Sequence, residues 1–451
     1  MGGTICTCSR QEGQVGRSIL WLPWYIVNKF LASVDAAEDA LGHPPNVVEI
    51  FCQMEASFDM PVKNIYELAA VLTSLQREDV IFADSTCFRY TRQKKEGYFS
   101  YTEIFNKKFP GYALDKKQRV IADTAKTVNF EQLLTCLKSS DSKLLDELRW
   151  AFDGEFRFLD GRSIEDQKMR IAFNTYPRSG NSFLRRLLEQ VTGITTGATV
   201  SLHTSTSLQV MGLKGEEICD DRVFIVKAHH PMMMPATLAF SANKVICCVR
   251  NPLDVFVSWA SLCNMMNHAA KPEFDYEKEF PEWFDWWVRW CTDAHRQYFD
   301  TMIAHATKDL KAPLHICRYE DLIKQPEKEL NDMFKFLLDL DSLEGTNAET
   351  RIKEVVAMGS KATQTYNLKD TTGKFNINAS RYTESQIEYM KEKIGDQLYF
   401  FGYSNHPEEE HNTAFFNFDE HKPENLAQFN GFRRVNEDGL KEVLTQPRPL
   451  K

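Results

Sequence analysis

The segment Ile171-Ala-Phe-Asn-Thr-Tyr-Pro-Arg-Ser-Gly-Asn-Ser-Phe-Leu-Arg-Arg-Leu-Leu-Glu189 narrows the folds open to this chain more than any other. An apolar run ends at Thr175, a short loop holds Pro177, Ser179 and Gly180, and Leu184, Leu187 and Leu188 then recur at helical spacing. The pattern predicts a strand over 170–175 that turns tightly into a helix over 182–191. The first amides of such a helix have no intrahelical acceptor, and the helix dipole favours negative charge beside them. Gly180 lets the backbone approach an anion, and Arg178 adds a cation with several donors. The segment therefore reads as a cradle for a phosphate-like group. It lacks the G-x-x-x-x-G-K-[ST] pattern of a nucleoside-triphosphate loop, because Asn181 follows Gly180 where a lysine would stand. A nucleotide kinase is disfavoured on that ground.

Three later segments repeat the same device, an apolar run that delivers polar side chains just past its end. Val223 to Lys227 predicts a strand, followed by His229, His230 and Pro231. Lys244 to Val249 predicts another, followed by Arg250 and by a helix over 252–265 that opens on Pro252, where proline is tolerated. Leu314 to Arg318 predicts a third, followed by Tyr319, Glu320 and Asp321. Further helices are predicted over 282–306 and 326–338. Strands alternating with amphipathic helices predict an α/β fold, a central parallel sheet flanked by helices, over residues 168–404. Such sheets bind ligands outside the carboxyl ends of their strands, which is where Arg250 falls. Ser258 lies eight residues on, about two helical turns away. His229 is a candidate general base for a hydroxyl at neutral pH. With no Cys, His or Asp partner at ligand spacing, a metal half-site at His229 and His230 is set aside.

Taken in order, Thr175-Tyr-Pro-Arg-Ser-Gly-Asn-Ser-Phe183, Lys227-Ala-His-His-Pro231, Arg250 to Trp259 and Tyr319-Glu-Asp321 resemble the motif series of the sulfotransferases that use 3′-phosphoadenosine 5′-phosphosulfate (PAPS). Cytosolic members carry T-Y-P-K-S-G-T-x-W, K-T-H-x-P, R-N-P-x-D-x-x-V-S and Y-E-D in that order. The resemblance spans roughly 235 residues, the size of one ordinary domain. It implies transfer of a sulfuryl group from PAPS to a hydroxyl or amine acceptor. It implies that Arg178, Ser179, Gly180, Asn181, Ser182 and Phe183 hold the 5′-phosphosulfate. Arg250 and Ser258 would hold the 3′-phosphate, and Tyr319 would contact the nucleotide. His229 would be the base, with Lys227 and Arg178 stabilising charge on the moving sulfuryl group and the leaving phosphate. No metal is expected.

Two departures from the family pattern stand out. Lysine is usual where this chain has Arg178, and arginine keeps the charge but cannot pass a proton. The late R-K-G-x-x-G-x-x-K segment fits Leu368 to Phe375 poorly, which leaves Lys369, Lys374 and Arg381 as substitutes. The stretch Leu187 to Gly197 and the tryptophans near 283–290 resemble the WSC-domain-containing branch, which is associated with carbohydrate acceptors. The implied acceptor is thus a small molecule or a carbohydrate. Trp283, Trp286, Trp287 and Trp290 have helical spacing, which predicts core packing rather than sugar stacking. An alternative is an inactive sulfotransferase-like module serving as a membrane-tethered scaffold. Retention of His229, Lys227, Arg178, Arg250 and Ser258 together argues for activity.

Residues 1–165 are mainly helical by pattern, with Phe130, Leu133, Leu134 and Leu137 and then Leu144, Leu145, Leu148 and Phe152 at helical spacing. Parts of this region weakly resemble the EF-hands of the neuronal calcium sensors. Aligning Val128 with the eighth loop position puts Ile121 at the first and Gln132 at the twelfth, where calcium needs Asp and Glu, so calcium binding is not expected. The run Ile19 to Leu31 is too short and too interrupted to span a membrane and reads as a core helix, with a membrane-interface seat for Trp21, Trp24 and Tyr25 as the alternative. The start Met1-Gly2-Gly3-Thr4-Ile5-Cys6-Thr7-Cys8 offers Gly2 for myristate and Cys6 and Cys8 for palmitate, although Cys6 stands where Ser or Thr is usual. Two acyl chains would hold a cytoplasmic protein on the cytoplasmic face of a membrane. The 11 scattered cysteines fit a reducing compartment, and the net charge of −9 argues against a nucleic-acid partner. Residues 405–451 form a polar tail containing Glu408, Glu409 and Glu410.

Overall fold

The computed structural model of the chain describes residues 24–57, 79–85, 89–114, 120–121, 126–160, 169–199, 211–229, 242–265, 275–304, 313–363 and 378–403, with Leu68, Val71, Leu72, Leu75, Gln76, Leu208 and Gln209 as isolated positions. The chain forms two compact units, residues 1–108 with 263–270, and residues 109–262 with 271–451. In the first unit, helices Trp24–Leu41 and Val47–Ser57 accompany a three-stranded antiparallel sheet with Phe82–Asp84 at its centre. Asn46 opens the second helix with a capping box. Its Oδ1 accepts from Glu49 N at 3.0 Å, and Glu49 Oε2 accepts from Asn46 N at 2.7 Å. Phe30, Val34, Ile50, Met54 and Leu72 form this unit's core. Of the run Ile19 to Leu31, the described part starts at Trp24, and Phe30 and Leu31 are buried as expected of a core helix.

The second unit is built on a five-stranded parallel sheet: β1 (Ile171–Thr175), β2 (Gly197–Ala198), β3 (Ile225–Ala228), β4 (Lys244–Val249) and β5 (Leu314–Arg318). The spatial order is β5-β4-β1-β3-β2. β1 is central, and the chain builds β2 and β3 to one side before crossing to β4 and β5 on the other. That reversal opens a crevice at the carboxyl ends of β1, β3 and β4. The flanking helices are α1 (Asn181–Thr192), α2 (Pro252–Met265), α3 (Pro281–Ala304), α4 (Tyr319–Lys324), α5 (Pro326–Leu338), α6 (Asn347–Ala357) and α7 (Glu384–Phe400).

β4 reads Lys-Val-Ile-Cys-Cys-Val and is buried along its whole length, as expected of a strand covered on both faces. The core joins Ile171, Phe173, Leu184, Leu188, Ile246 and Cys317 to Leu330, Phe334 and Ile352 of the outer helices. It also takes in Val128, Phe130, Leu133 and Leu137. Phe130 opens the helix Phe130–Lys138, whose first turn is capped by Asn129 Oδ1 accepting from Gln132 N at 3.0 Å.

The α1 helix departs from the expected one-sided pattern, because all 12 of its residues are buried. Its apolar face meets the sheet. Its polar face is covered by the segment that follows it, and charges there are paired. Arg185 pairs with Glu216, and Arg186 pairs with Glu189 at 3.0 Å. Leu188 is fully enclosed beneath this layer. Leu188→Ala is expected to destabilise the second unit by about 2–5 kcal/mol, read as a lowered urea midpoint with unchanged slope.

Candidate active site

β1 ends at Thr175, and the loop after it makes two left-handed turns. Arg178 has φ 68° and Gly180 has φ 91°. The first requires a strained backbone at a residue with a side chain. The second suits glycine, and a Cβ there would lie 2.4 Å from Tyr319 Cδ2. These turns aim the chain into α1, whose N-terminus has no side-chain cap; its first intrahelical bond runs from Leu184 N to Gly180 O at 2.9 Å. The amides of Asn181, Ser182 and Phe183 therefore precede the helical ladder, with the positive end of the dipole behind them. Two buried tyrosines fix the strand end and the loop against α3: Tyr298 OH donates to Asn174 O at 2.8 Å, and Tyr176 OH donates to Cys291 O at 2.9 Å.

The residues proposed to grip the two ends of a nucleotide meet here. Arg178 Nε donates to Ser258 Oγ at 3.0 Å, and Arg250 Nη1 donates to Arg178 O at 3.2 Å. The Arg250 guanidinium lies 4.8 Å from the centre of the Tyr319 ring, a cation–π distance. Phe183 meets that ring edge-on at 6.0 Å. Tyr319 thus acts as a prop under Gly180, Phe183 and Arg250, a role the sequence did not announce. Ser179 is buried, and Asn181 is buried with no partner for Oδ1.

On the other side of β1, His229 and Lys227 leave the end of β3. His229 Nδ1 lies 2.7 Å from Thr175 O, and a carbonyl only accepts, so Nδ1 carries the proton and Nε2 keeps its lone pair. Asn181 Nδ2 donates to Thr175 Oγ1 at 3.0 Å, and that hydroxyl lies 3.3 Å from His229 Nδ1. Thr175 and Asn181 therefore couple the histidine to the helix mouth. Loss of hydration, and then the nearby Lys227 charge, push the His229 imidazole down to about 3. It is neutral at pH 7. Burial pushes the Lys227 ammonium down to about 8, against the pull of Glu216 at 3.8 Å.

Other expected site residues fall elsewhere. Arg381 forks onto Glu277, with Nε to Oε1 at 2.8 Å and Nη2 to Oε2 at 2.6 Å. Lys369, Lys374, His230, Gly2, Cys6 and Cys8 lie outside the described residues. The core-packing expectation for the tryptophans of α3 holds for Trp287, which is buried, and is corrected for two others. Trp286 is 56% exposed and Trp290 is 40% exposed, with their rings stacked at 6.1 Å. The α3 stripe is wider than the core beneath it.

Residues 169–396 match the family model described as "Sulfotransferase domain", just over half of the chain. The chain belongs to the sulfotransferase family. The sulfotransferase domain is similar to a WSCD family member of Drosophila pseudoobscura pseudoobscura, 25% identical over 175 residues, covering 39% of this chain and 52% of that protein. It is also similar to a 3-alpha-hydroxysteroid sulfotransferase of Cavia porcellus, 25% identical over 172 residues, covering 36% of this chain and 56% of that protein. The chain thus spans about half the length of these curated relatives. A solved mouse sulfotransferase complexed with PAP overlaps 64% of this chain and 94% of that one, at 14% identity and a TM-score of 0.33. In the sulfotransferase domain, no described helix is long and apolar enough to cross a membrane. Gly180→Ala forces a Cβ into the Tyr319 ring at a left-handed position. It is expected to destabilise the domain by about 1–3 kcal/mol, seen as a lowered melting temperature.

Proposed function

We propose that this chain transfers a sulfuryl group from PAPS to a hydroxyl or amine acceptor, with His229 as the base. One observation carries the proposal: the uncapped amides of α1 share a strand end with Arg178, Arg250 and Ser258 on one side and with the fixed tautomer of His229 on the other. The donor set suits a nucleotide with two anionic ends. The helix mouth and Arg178 fit the 5′-phosphosulfate, with the unpartnered Asn181 Oδ1 beside them. Arg250 and Ser258 fit the 3′-phosphate. PAPS supplies the activated sulfuryl group when bound.

The chain's own residues do the rest. His229 Nε2 takes the acceptor proton, because Nδ1 is already committed to Thr175 O. Arg178 and Lys227 hold charge that develops toward the leaving phosphate. Arginine at 178 serves as a fixed cation and not as a proton donor. The acceptor is a small molecule or a carbohydrate, the classes that the motif resemblance implies. The acylated start at Gly2, Cys6 and Cys8 remains a proposal as well, tested by the mass of the N-terminal peptide.

Titration calorimetry with PAP tests the pocket. Arg250→Ala should weaken PAP about 10–100-fold, and unchanged affinity in that variant would count against the pocket. His229→Ala should keep PAP affinity and lose about 10²–10⁴ of turnover on the best acceptor from a screen of phenols, sterols, amines, glycans and peptides. Full turnover would reject His229 as the base. Because the imidazole is held far below 6.5, kcat/KM should show no acid limb between about pH 5 and 7. Its alkaline limb should sit near 8, where Lys227 loses its charge. An acid limb at the ordinary histidine value would contradict the assignment.

A further inference from the structure

Beneath the proposed transfer site lies a carboxylate that none of the motifs predicts. Glu216 is fully buried, with one oxygen on the Arg185 guanidinium and Oε2 at 3.8 Å from Lys227 Nζ. Arg185 is itself held from α1, with Nε donating to Thr196 Oγ1 at 2.8 Å and Nη2 donating to Thr196 O at 3.0 Å. The arginine cannot swing toward the site without giving up those bonds. Lys227 Nζ sits beyond hydrogen-bond range of Glu216, and among the described residues no hydrogen bond from it is found. Among the described residues, Arg185 and Lys227 therefore both lie against this buried anion. The excess positive charge falls on the more weakly held of them, the lysine next to His229.

Backbone contacts bring Glu216 to this place. Gly215 bridges to Gly197 in β2, and a Cβ on Gly215 would lie 2.2 Å from Thr196 O. A Cβ on Gly197 would lie 2.1 Å from Ile218 O. Only glycine at both positions lets the 211–219 segment close onto the sheet edge.

We propose, on the footing of the sulfotransfer reading above, that Glu216 is a positioning residue that holds Lys227 charged and in place to meet the 5′ end of the nucleotide. Among the described residues, the groups facing Lys227 are Glu216, Arg185 and His229. Of these Glu216 alone is anionic, so it opposes the loss of the lysine proton. The charged lysine attracts the nucleotide below its titration point and ceases to do so above it. Neutralising Glu216 must lower that point.

PAP binding between pH 7 and pH 10 tests this without an acceptor. Wild-type affinity is expected to break downward near 8, the Lys227 value. In Glu216→Gln the break should move down by about one pH unit or more, and in Lys227→Arg it should vanish over this range. A Glu216→Gln break at the wild-type pH, with or without lowered stability, would make Glu216 merely structural and overturn the proposal. A break that persists in Lys227→Arg would do the same. Should Glu216→Gln not fold, Glu216→Asp draws the carboxylate back from Nζ; an unmoved break in that variant also overturns it. Absence of PAP binding to wild type, or an Arg250→Ala variant that binds PAP normally, fails the sulfotransfer reading itself and is thereby distinguished.

Discussion

The arrangement of the site depends on one close approach, the backbone of Gly180 against the Tyr319 ring. The ring leaves no room for a Cβ, so the loop after β1 must turn left-handed there and launch α1 with bare amides at its mouth. The same ring carries Arg250 on its surface and Phe183 at its edge. One aromatic side chain from the end of β5 thus sets the position of groups from β1 and β4. Local strain at Arg178 is sustained because Ser258 and Arg250 engage its side chain and carbonyl.

Charge is handled differently on the two sides of β1. On the β4 side, Arg178 and Arg250 are partly exposed, and they donate to a hydroxyl and a carbonyl oxygen. On the β3 side, Lys227 is buried beside a carboxylate; burial disfavours its charge, and burial together with the Lys227 charge disfavours that of His229. The neutral imidazole follows directly: a charged ring would sit in low dielectric next to an ammonium. Geometry also fixes which ring nitrogen keeps its lone pair, since Thr175 O occupies Nδ1.

Strand and helix positions in the sheet were legible because hydrophobic runs and their breaks are local. The predicted strand over 244–249 and the helices over 252–265 and 326–338 agree with the observed bounds. The strand-loop-helix turn after β1 was legible too, because strand, turn and helix mouth are contiguous in the chain. Thr175 and Glu216 were not. Thr175 reads as a strand terminus, and its link to His229 crosses from β1 to β3. Glu216 sits in a Gly-Glu-Glu stretch of ordinary polar character, and only a glycine-permitted backbone contact brings it under Lys227. Trp286 and Trp290 show the converse: helical spacing gave the stripe but not how much of it the neighbours cover.

By itself, the amino-acid order determined the elements, their succession and the residue types delivered at each strand end, since those follow from short-range periodicity and turn chemistry. Tertiary structure decided which of these ends meet. The crossing from β3 to β4 about the central β1 brings a histidine, a lysine and two arginines from distant stretches to one edge of the sheet. It also decided the protonation of the histidine and the lysine, because burial and neighbouring charge act through space and leave no trace in the local sequence.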